Sequence, residues 1–151
     1  MAFNIVLVEP EIPNNTGNIG RLSLASGSKL HLVKPFGFEL SDHRLKRAGL
    51  DYWPHVDLKT YDSIAQFFYL HAGKKMAFMS SHGNQSYLDI DYEDEMFLVF
   101  GKESVGLEQS ILEVHSASTF KIPIHSPHIR SLNLANAVSI TVYEGLRRLS
   151  P

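Results

Sequence analysis

The feature that most constrains the fold is an alternation of short apolar runs with segments of helical period. Parallel strands need crossover connections, and both faces of a parallel sheet must be buried. The alternation therefore predicts an α/β fold, with an open, mainly parallel sheet covered by helices on both faces. The predicted strands are residues 5–8, 30–33, 76–79, 96–100 and 120–122, and the predicted helices are residues 16–26, 42–48, 61–71, 107–114 and 132–148.

Residues at the ends of these segments agree with the assignment. Thr16 is a candidate N-cap of the first helix, Gly27 follows the end of that helix, and Gly73 follows the end of the third. The polar residues 82–95 are predicted to form a long loop. Since no repeat or linker interrupts the pattern, we expect residues 1–151 to form a single domain.

Composition excludes several classes of protein. The chain contains no cysteine, which rules out a disulfide framework, a thiolate zinc site and a cysteine nucleophile. The N-terminal sequence lacks the basic start and long apolar run of a signal peptide, and no stretch approaches the roughly 18 apolar residues of a membrane span. We therefore expect a cytoplasmic protein with no membrane partner.

The formal net charge of −2 does not by itself indicate a nucleic-acid binder. Any contact with RNA must come from a local patch, and the best candidate is residues 43–47. If that segment is helical, Arg44 and Arg47 share one face and can contact phosphates. A solvated helix face is the alternative interpretation.

Three segments follow predicted strands, at the edge of the sheet where open α/β proteins bind ligands. The first contains Asn15, Gly17 and Arg21. Its small residues let the backbone approach a ligand, and a helix N-terminus offers N–H groups to an anion. The segment matches neither a P-loop nor a dinucleotide-binding fingerprint. A phosphate-proximal role and an ordinary strand-to-helix turn both remain open.

The second segment is an apolar strand that ends at Gly101 and continues through Glu103 to Gly106. Two glycines around an acidic residue indicate a tight turn with exposed backbone groups, which suits binding of an adenine edge or an amino group. A plain turn is the alternative.

The third segment passes from Ile122 and Pro123 through a loop to the start of the last helix. Capping alone accounts for Ser131. It does not account for the crowding of polar and charged residues beyond a buried strand, at Arg130, Ser131 and Asn133.

Other chemistries are poorly supported. His125 and His128 have a tolerable spacing for metal ligands, but no third ligand is obvious, so we expect no metal. The sequence also lacks the Gly-x-Ser-x-Gly elbow of a serine hydrolase.

Taken together, the three segments resemble the signature motifs of the SPOUT superfamily of RNA methyltransferases, in the SpoU branch that methylates ribose 2′-hydroxyls. The matching residues are Asn15, Gly17 and Arg21 in the first motif, Gly101, Glu103 and Gly106 in the second, and Ile122, Pro123, Ser131, Leu132 and Asn133 in the third. Residues 4–13 and 47–52 are similar to a narrower group, the minimal single-domain tRNA (cytidine/uridine-34-2′-O)-methyltransferases. The resemblance covers nearly the whole chain.

The resemblance implies a C-terminal deep trefoil knot whose loops form the cofactor pocket. It implies a homodimer whose active site is completed across the interface, with the last helix among the packing elements. It also implies metal-independent transfer of a methyl group from S-adenosyl-L-methionine to the ribose of wobble nucleotide 34 in tRNA, and it suggests leucine isoacceptors as substrates.

The resemblance assigns roles residue by residue. Arg21 and Asn133 are the expected catalytic residues; the expected cofactor-binding residues are Met79, Gly101, Glu103, Ile122, Ser131 and Leu132; and the expected RNA-binding residues are Asn15, Arg44, Arg47 and Arg130. A guanidinium hardly deprotonates in a protein. We therefore expect Arg21 to hold a phosphate and to stabilise the developing alkoxide rather than to act as a general base.

Two alternatives remain open. A SPOUT enzyme acting on another tRNA position or on rRNA has the same motifs, although the absence of an added RNA-binding domain speaks against it. A nucleotide-binding module without catalysis is the second, and in such a module Arg21, Glu103 and Asn133 would be dispensable. Their joint presence favours a catalyst.

Overall fold

A computed structural model of the chain describes residues 2–40 and 51–150. The predicted helix at residues 42–48, with Arg44 and Arg47, lies outside the described residues. The strands are β1 (Asn4–Val8), β2 (Lys29–Val33), β3 (Leu58–Tyr61), β4 (Met76–Met79), β5 (Gln85–Ser86), β6 (Phe97–Phe100) and β7 (Thr119–Lys121). The helices are α1 (Pro13–Ala25), α2 (Ile64–Leu70), α3 (Gln109–Val114) and α4 (Leu134–Leu149), with short 3-10 turns at Trp53–His55, Tyr87–Asp89 and Ser116–Ser118.

The seven strands form one sheet in the order β3-β2-β1-β6-β4-β7-β5. All of its strand pairs are parallel, which confirms the predicted α/β class. The strand order changes direction between β1 and β6, where strands distant in sequence lie side by side. In open parallel sheets ligands bind beyond the carboxyl ends of the strands at such a switch point.

Alternate residues of each central strand enter separate cores on the two faces of the sheet. In β1, Ile5 and Leu7 belong to a core that also contains side chains of α1 and α4. Val6 and Val8 belong to a second core with side chains of α2 and α3. The helices thus cover both faces, as the alternation of the sequence predicts.

The prediction that Thr16 caps the first helix is wrong. The helix begins at Pro13, with Ile12 at the N-cap, and Thr16 is fully buried inside it. Proline suits the first helical position because its missing N–H needs no partner there and its φ is already helical. The predicted end is confirmed, since Gly27 follows the helix with a φ of 68°.

Two other segments differ from prediction. Tyr61 ends strand β3 instead of starting a helix, and α2 begins at Ile64 with Ser63 as its cap. Lys59 and Thr60 are exposed on this edge strand, which obscured its strand character in the sequence. The stretch predicted as a long loop contains β5, which pairs with β7.

A buried chain of hydrogen bonds runs through the second face. The side-chain nitrogen of Asn4 donates to the carbonyl of Glu95. The side-chain oxygen of Asn4 therefore accepts from His31 Nε2, at 2.8 Å. His31 Nδ1 then accepts from the Tyr61 hydroxyl at 2.7 Å, and that hydroxyl accepts from His71 Nε2. Burial, followed by the nearby charges of His71, Lys59 and Lys29, lowers the pKa of His31 to about 3. The lowered pKa keeps His31 neutral at physiological pH.

Candidate active site

A cavity of about 1240 Å³ lies beyond the carboxyl ends of the central strands. Segments that follow β1, β4, β6 and β7 line it together with the first turn of α4. Parallel pairing of these strands brings their carboxyl ends to the same edge of the sheet. The cavity thus has the position that the switch-point rule predicts for a ligand.

Another cavity, of about 770 Å³, lies around the amino end of β4. It contains none of the residues that the sequence motifs single out. We therefore place the candidate active site at the carboxyl edge.

The cavity gathers residues from all three motifs. Each of the predicted cofactor-binding residues lines it: Met79, Gly101, Glu103, Ile122, Ser131 and Leu132. Asn15, Arg130 and Asn133 also line it. The folded chain thus brings together side chains that are more than a hundred positions apart in the sequence.

The carboxylate of Glu103 is bound by the first motif. Glu103 Oε1 accepts from the backbone N–H of Glu11 at 2.8 Å, and Oε2 accepts from that of Ile12 at 3.0 Å and from Asn15 Nδ2 at 3.2 Å. A protein carboxylate thus occupies two backbone donors immediately before α1.

The side chain of Asn15 connects the second and third motifs. Its amide nitrogen donates to Glu103, and its oxygen accepts from Asn133 Nδ2 at 3.1 Å. Asn15 is only 7% exposed, and it links the motifs inside the chain. Its contact with RNA stays a prediction.

Asn133 has a second contact, because its side-chain oxygen accepts from the backbone N–H of Asn136. It is thus the N-cap of α4. The interpretation of Ser131 as a cap is wrong, since the helix begins two residues later than predicted. Ser131 is exposed and lines the cavity.

The turn after β6 depends on both of its glycines. A Cβ atom on Gly101 would lie 2.1 Å from the backbone carbon of Gly106. Gly106 has a φ of 72°, and its N–H donates to the carbonyl of Lys102. The predicted tight turn is therefore confirmed, and it presents backbone at the cavity wall.

Arg21 does not line the cavity. It is exposed on α1, with its guanidinium carbon 5.6 Å from the centre of the Tyr52 ring. The Tyr52 hydroxyl donates to the carbonyl of Gly17, one turn earlier in the same helix. Within the chain, the predicted catalytic arginine therefore stands apart from the predicted cofactor residues.

Two charged residues near the cavity were not assigned a role from the sequence. Lys102 Nζ forms a 2.9 Å ion pair with Glu9, and this hydrogen bond raises the pKa of Lys102. The Glu11 carboxylate accepts from the backbone N–H of Ser104 at 2.8 Å. Hydrogen bonding by the Ser104 side chain, followed by this backbone contact, holds the pKa of Glu11 below its usual value. Glu11 lies just after β1 and Lys102 just after β6. This position at the carboxyl ends of strands was the signal in the sequence that could have identified them.

Within residues 2–40 and 51–150, no group of three or more His, Cys, Asp or Glu side chains is placed to hold a metal ion. Within the same ranges, no helix combines the length and apolar character that a membrane crossing requires.

Comparison with protein families gives a match over residues 2–143 to the SpoU rRNA Methylase family. The chain belongs to this family. The resemblance inferred from the three motifs is therefore confirmed, and the chain is an S-adenosylmethionine-dependent methyltransferase.

Individual members of the family are similar over most of the chain. A tRNA (cytidine(34)-2′-O)-methyltransferase of Escherichia coli is 42% identical, over 97% of this chain and 94% of its own length. A solved structure described as giving structural insights into the 2-OH methylation of C/U34 on tRNA is 45% identical, with a TM-score of 0.93 over 98% of this chain and 96% of its own. An AdoMet-bound rRNA methyltransferase from Sinorhizobium meliloti is 25% identical, with a TM-score of 0.84 over 99% of this chain and 57% of its own.

Proposed function

We propose that this chain methylates the ribose 2′-hydroxyl of nucleotide 34, cytidine or uridine, in tRNA, and that leucine isoacceptors are among its substrates. The observation that carries the proposal is the convergence of the three motifs on one cavity, in a chain that matches wobble-nucleotide methyltransferases over nearly its whole length.

The cavity fits S-adenosylmethionine in size and in chemistry. Its volume exceeds the roughly 300–1,000 Å³ of typical small-molecule sites, which leaves room for a nucleotide beside the cofactor. Met79, Leu107 and Ile122 offer apolar surface to an adenine, while Ser131 and the backbone of the glycine turn offer polar groups. We assign cofactor binding to Met79, Gly101, Glu103, Ile122, Ser131 and Leu132.

The bound cofactor supplies an electrophilic methyl group, and the protein supplies position and charge. Glu103 acts mainly through the backbone around it, because both of its oxygens already accept hydrogen bonds. Asn133 contributes as a catalytic residue from the start of α4. Arg130, exposed at the cavity wall, contacts the RNA together with Arg44 and Arg47.

Arg21 reaches the reacting ribose from the partner subunit of a homodimer. Leu24 lies one turn along α1 on the same face as Arg21, and Ile140 and Tyr143 lie three positions apart on α4; all three are exposed apolar side chains. A second copy docked on α1 and α4 would bury them. The same docking would bring Arg21 into the interface, where its fixed charge stabilises the alkoxide.

The domain organisation, the knot and the cellular location are proposed from the family. We propose that residues 1–151 act as one domain with the C-terminal trefoil knot of the superfamily, and that the enzyme works in the cytoplasm, where tRNA is its partner. Asn133 in the third motif donates to Asn15 in the first. This contact supports the arrangement, because it requires α4 to begin at the strand ends, beside α1.

The test of the function is transfer of labelled methyl from S-adenosylmethionine to tRNA lacking methylation at nucleotide 34, followed by nuclease mapping. We expect a 2′-O-methylated pyrimidine at position 34. Methylation at another tRNA position, or of rRNA alone, would contradict the proposed substrate. Cofactor binding without transfer to any RNA would contradict the catalytic role.

The role of Arg21 predicts that Arg21→Ala retains dimerisation and cofactor binding but loses turnover. In Ser131→Trp, the larger side chain should fill part of the cavity and abolish cofactor binding. This variant still carries an intact Arg21. Mixed dimers of the two variants should regain activity that neither has alone, because one complete site forms across each interface. Absence of recovery in dimers verified by sedimentation would contradict a shared site.

A further inference from the structure

Reciprocal contacts join the segment after β1 to the turn after β6. The Glu103 carboxylate accepts from the backbone N–H groups of Glu11 and Ile12, and the Glu11 carboxylate accepts from the backbone N–H of Ser104. Each carboxylate thus binds the backbone of the other segment. We call residues 9–12 and 102–104, with these contacts, the two-loop brace.

An ion pair adds to the two-loop brace. Lys102 Nζ lies 2.9 Å from Glu9 Oε1, and both side chains are largely shielded from solvent. Glu9 has a φ of 55°, a left-handed conformation that residues other than glycine rarely adopt. Its N–H donates to the carbonyl of Val33, so the unusual backbone is fixed at the main chain and at the side chain. Such conformations persist where the surroundings hold them and are frequent at functional sites.

The sheet itself does not need these contacts. Residues 4–7 of β1 are already paired in register with residues 97–100 of β6, and the two-loop brace lies beyond the ends of both strands. Ser104 and Val105 are exposed, so little core packing holds the turn. The polar contacts of the two-loop brace therefore fix the position of a turn whose residues line the cavity.

We infer that Glu11 is a positioning residue for methyl transfer, which holds residues 102–105 in the place that the cofactor requires. Glu11 is not among the residues that line the cavity, so it acts through the backbone of Ser104. The inference rests on the proposed function, because it assumes that the cavity binds S-adenosylmethionine.

The test compares two substitutions of Glu11 that change different properties. Glu11→Asp keeps the charge but withdraws the carboxylate by one methylene group, whereas Glu11→Gln keeps the length and one acceptor oxygen. Loss of a charge-assisted hydrogen bond predicts a rise of about tenfold in the Kd for S-adenosylmethionine in Glu11→Asp, measured by calorimetry. Glu11→Gln should show a smaller rise.

Amide hydrogen exchange gives a readout without the cofactor. We expect faster exchange at Ser104 in Glu11→Asp, whereas the paired amides of β1 and β6 should exchange at close to the wild-type rate. The matched control is Glu93→Asp, because Glu93 forms an exposed ion pair with Lys75 away from the cavity. This control should bind the cofactor with the wild-type Kd.

A wild-type Kd in Glu11→Asp together with faster exchange at Ser104 would overturn the inference and leave the proposed function intact. Failure of both Glu11 variants to fold would also overturn it, because Glu11 would then serve stability alone. A wild-type protein that binds the cofactor but does not methylate tRNA would contradict the proposed function, and the effect of Glu11 on the Kd would still be measurable.

Discussion

The side chain that does most to organise the site is the buried amide of Asn15. It donates to Glu103 through its nitrogen and accepts from Asn133 through its oxygen. An amide offers a donor and an acceptor at its two ends, whereas a carboxylate only accepts. The chemical asymmetry of one side chain thus joins three segments of the chain.

Replacing Asn15 by aspartate should be more harmful than its near-identical shape suggests. The new carboxylate would face Glu103 at about the present 3.2 Å, and two carboxylates at that distance repel each other. We expect a loss of ~2–3 kcal/mol in the free energy of unfolding at neutral pH, measured with urea. Asn14→Asp is the matched control, because Asn14 is exposed on the same turn. Equal effects of the two substitutions would contradict this role of Asn15.

At the residue scale, the sequence predicted which residues lie at the site but not which atoms they contact. Asn15, Glu103 and Asn133 were all selected from their motifs, and all three line the cavity. A motif specifies residue types and spacing, but it does not specify which N–H a carboxylate will meet in the folded chain. The binding of Glu103 by Glu11 and Ile12 therefore could not be predicted, and the individual roles of the site residues stay predictions.

At the scale of elements, the glycine turn after β6 shows how one local conformation forms a wall of the cavity. Its two glycines have different reasons to be glycine. Gly101 leaves no space for a side chain beside the backbone of Gly106, whereas Gly106 has open space but a left-handed backbone.

Alanine at these two positions should therefore have unequal effects. Gly106→Ala should cost only ~1 kcal/mol of stability, the usual penalty for a left-handed residue with a Cβ. Gly101→Ala should cost more and should raise the Kd for S-adenosylmethionine, because main chain must move to relieve the clash. Thermal unfolding and calorimetry measure the two effects. Equal losses in both variants would show that the turn adapts to the added Cβ.

Buried strands were predicted from the sequence more accurately than exposed ones. The bounds of β4 were predicted correctly, since its apolar run is bordered by polar residues. Strand β3 was missed because it lies at the edge of the sheet and exposes Lys59 and Thr60. The start of α1 was placed three residues late because its N-cap is Ile12, a residue with no capping side chain.

At the scale of the whole molecule, the buried hydrogen-bond chain through His31 should make stability depend on pH. The pKa of His31 is lowered to about 3 in the folded protein, below its value of about 6.5 in the unfolded chain. This contribution is therefore complete above pH 6.5 and is lost progressively as the pH falls toward 3. The pKa values of His71 and His115 are lowered by burial in the same direction.

Urea unfolding of the wild type and of His31→Gln between pH 7.5 and pH 4 would measure this contribution. Other groups titrate in both proteins, so the difference between the two free energies isolates His31. We expect that difference to shrink as the pH falls. A difference that is independent of pH would contradict a neutral, buried His31.

The contacts that unite the motifs span most of the chain, since Glu11 and Ser104 are 93 positions apart and Asn15 and Asn133 are 118 apart. During synthesis on the ribosome, the first motif emerges long before its partners exist. A nascent chain therefore has no binding pocket until Asn133 has left the exit tunnel. A ligand that binds only the folded pocket can therefore stabilise the chain only after all three motifs have emerged, and it gives no such help to shorter folding intermediates.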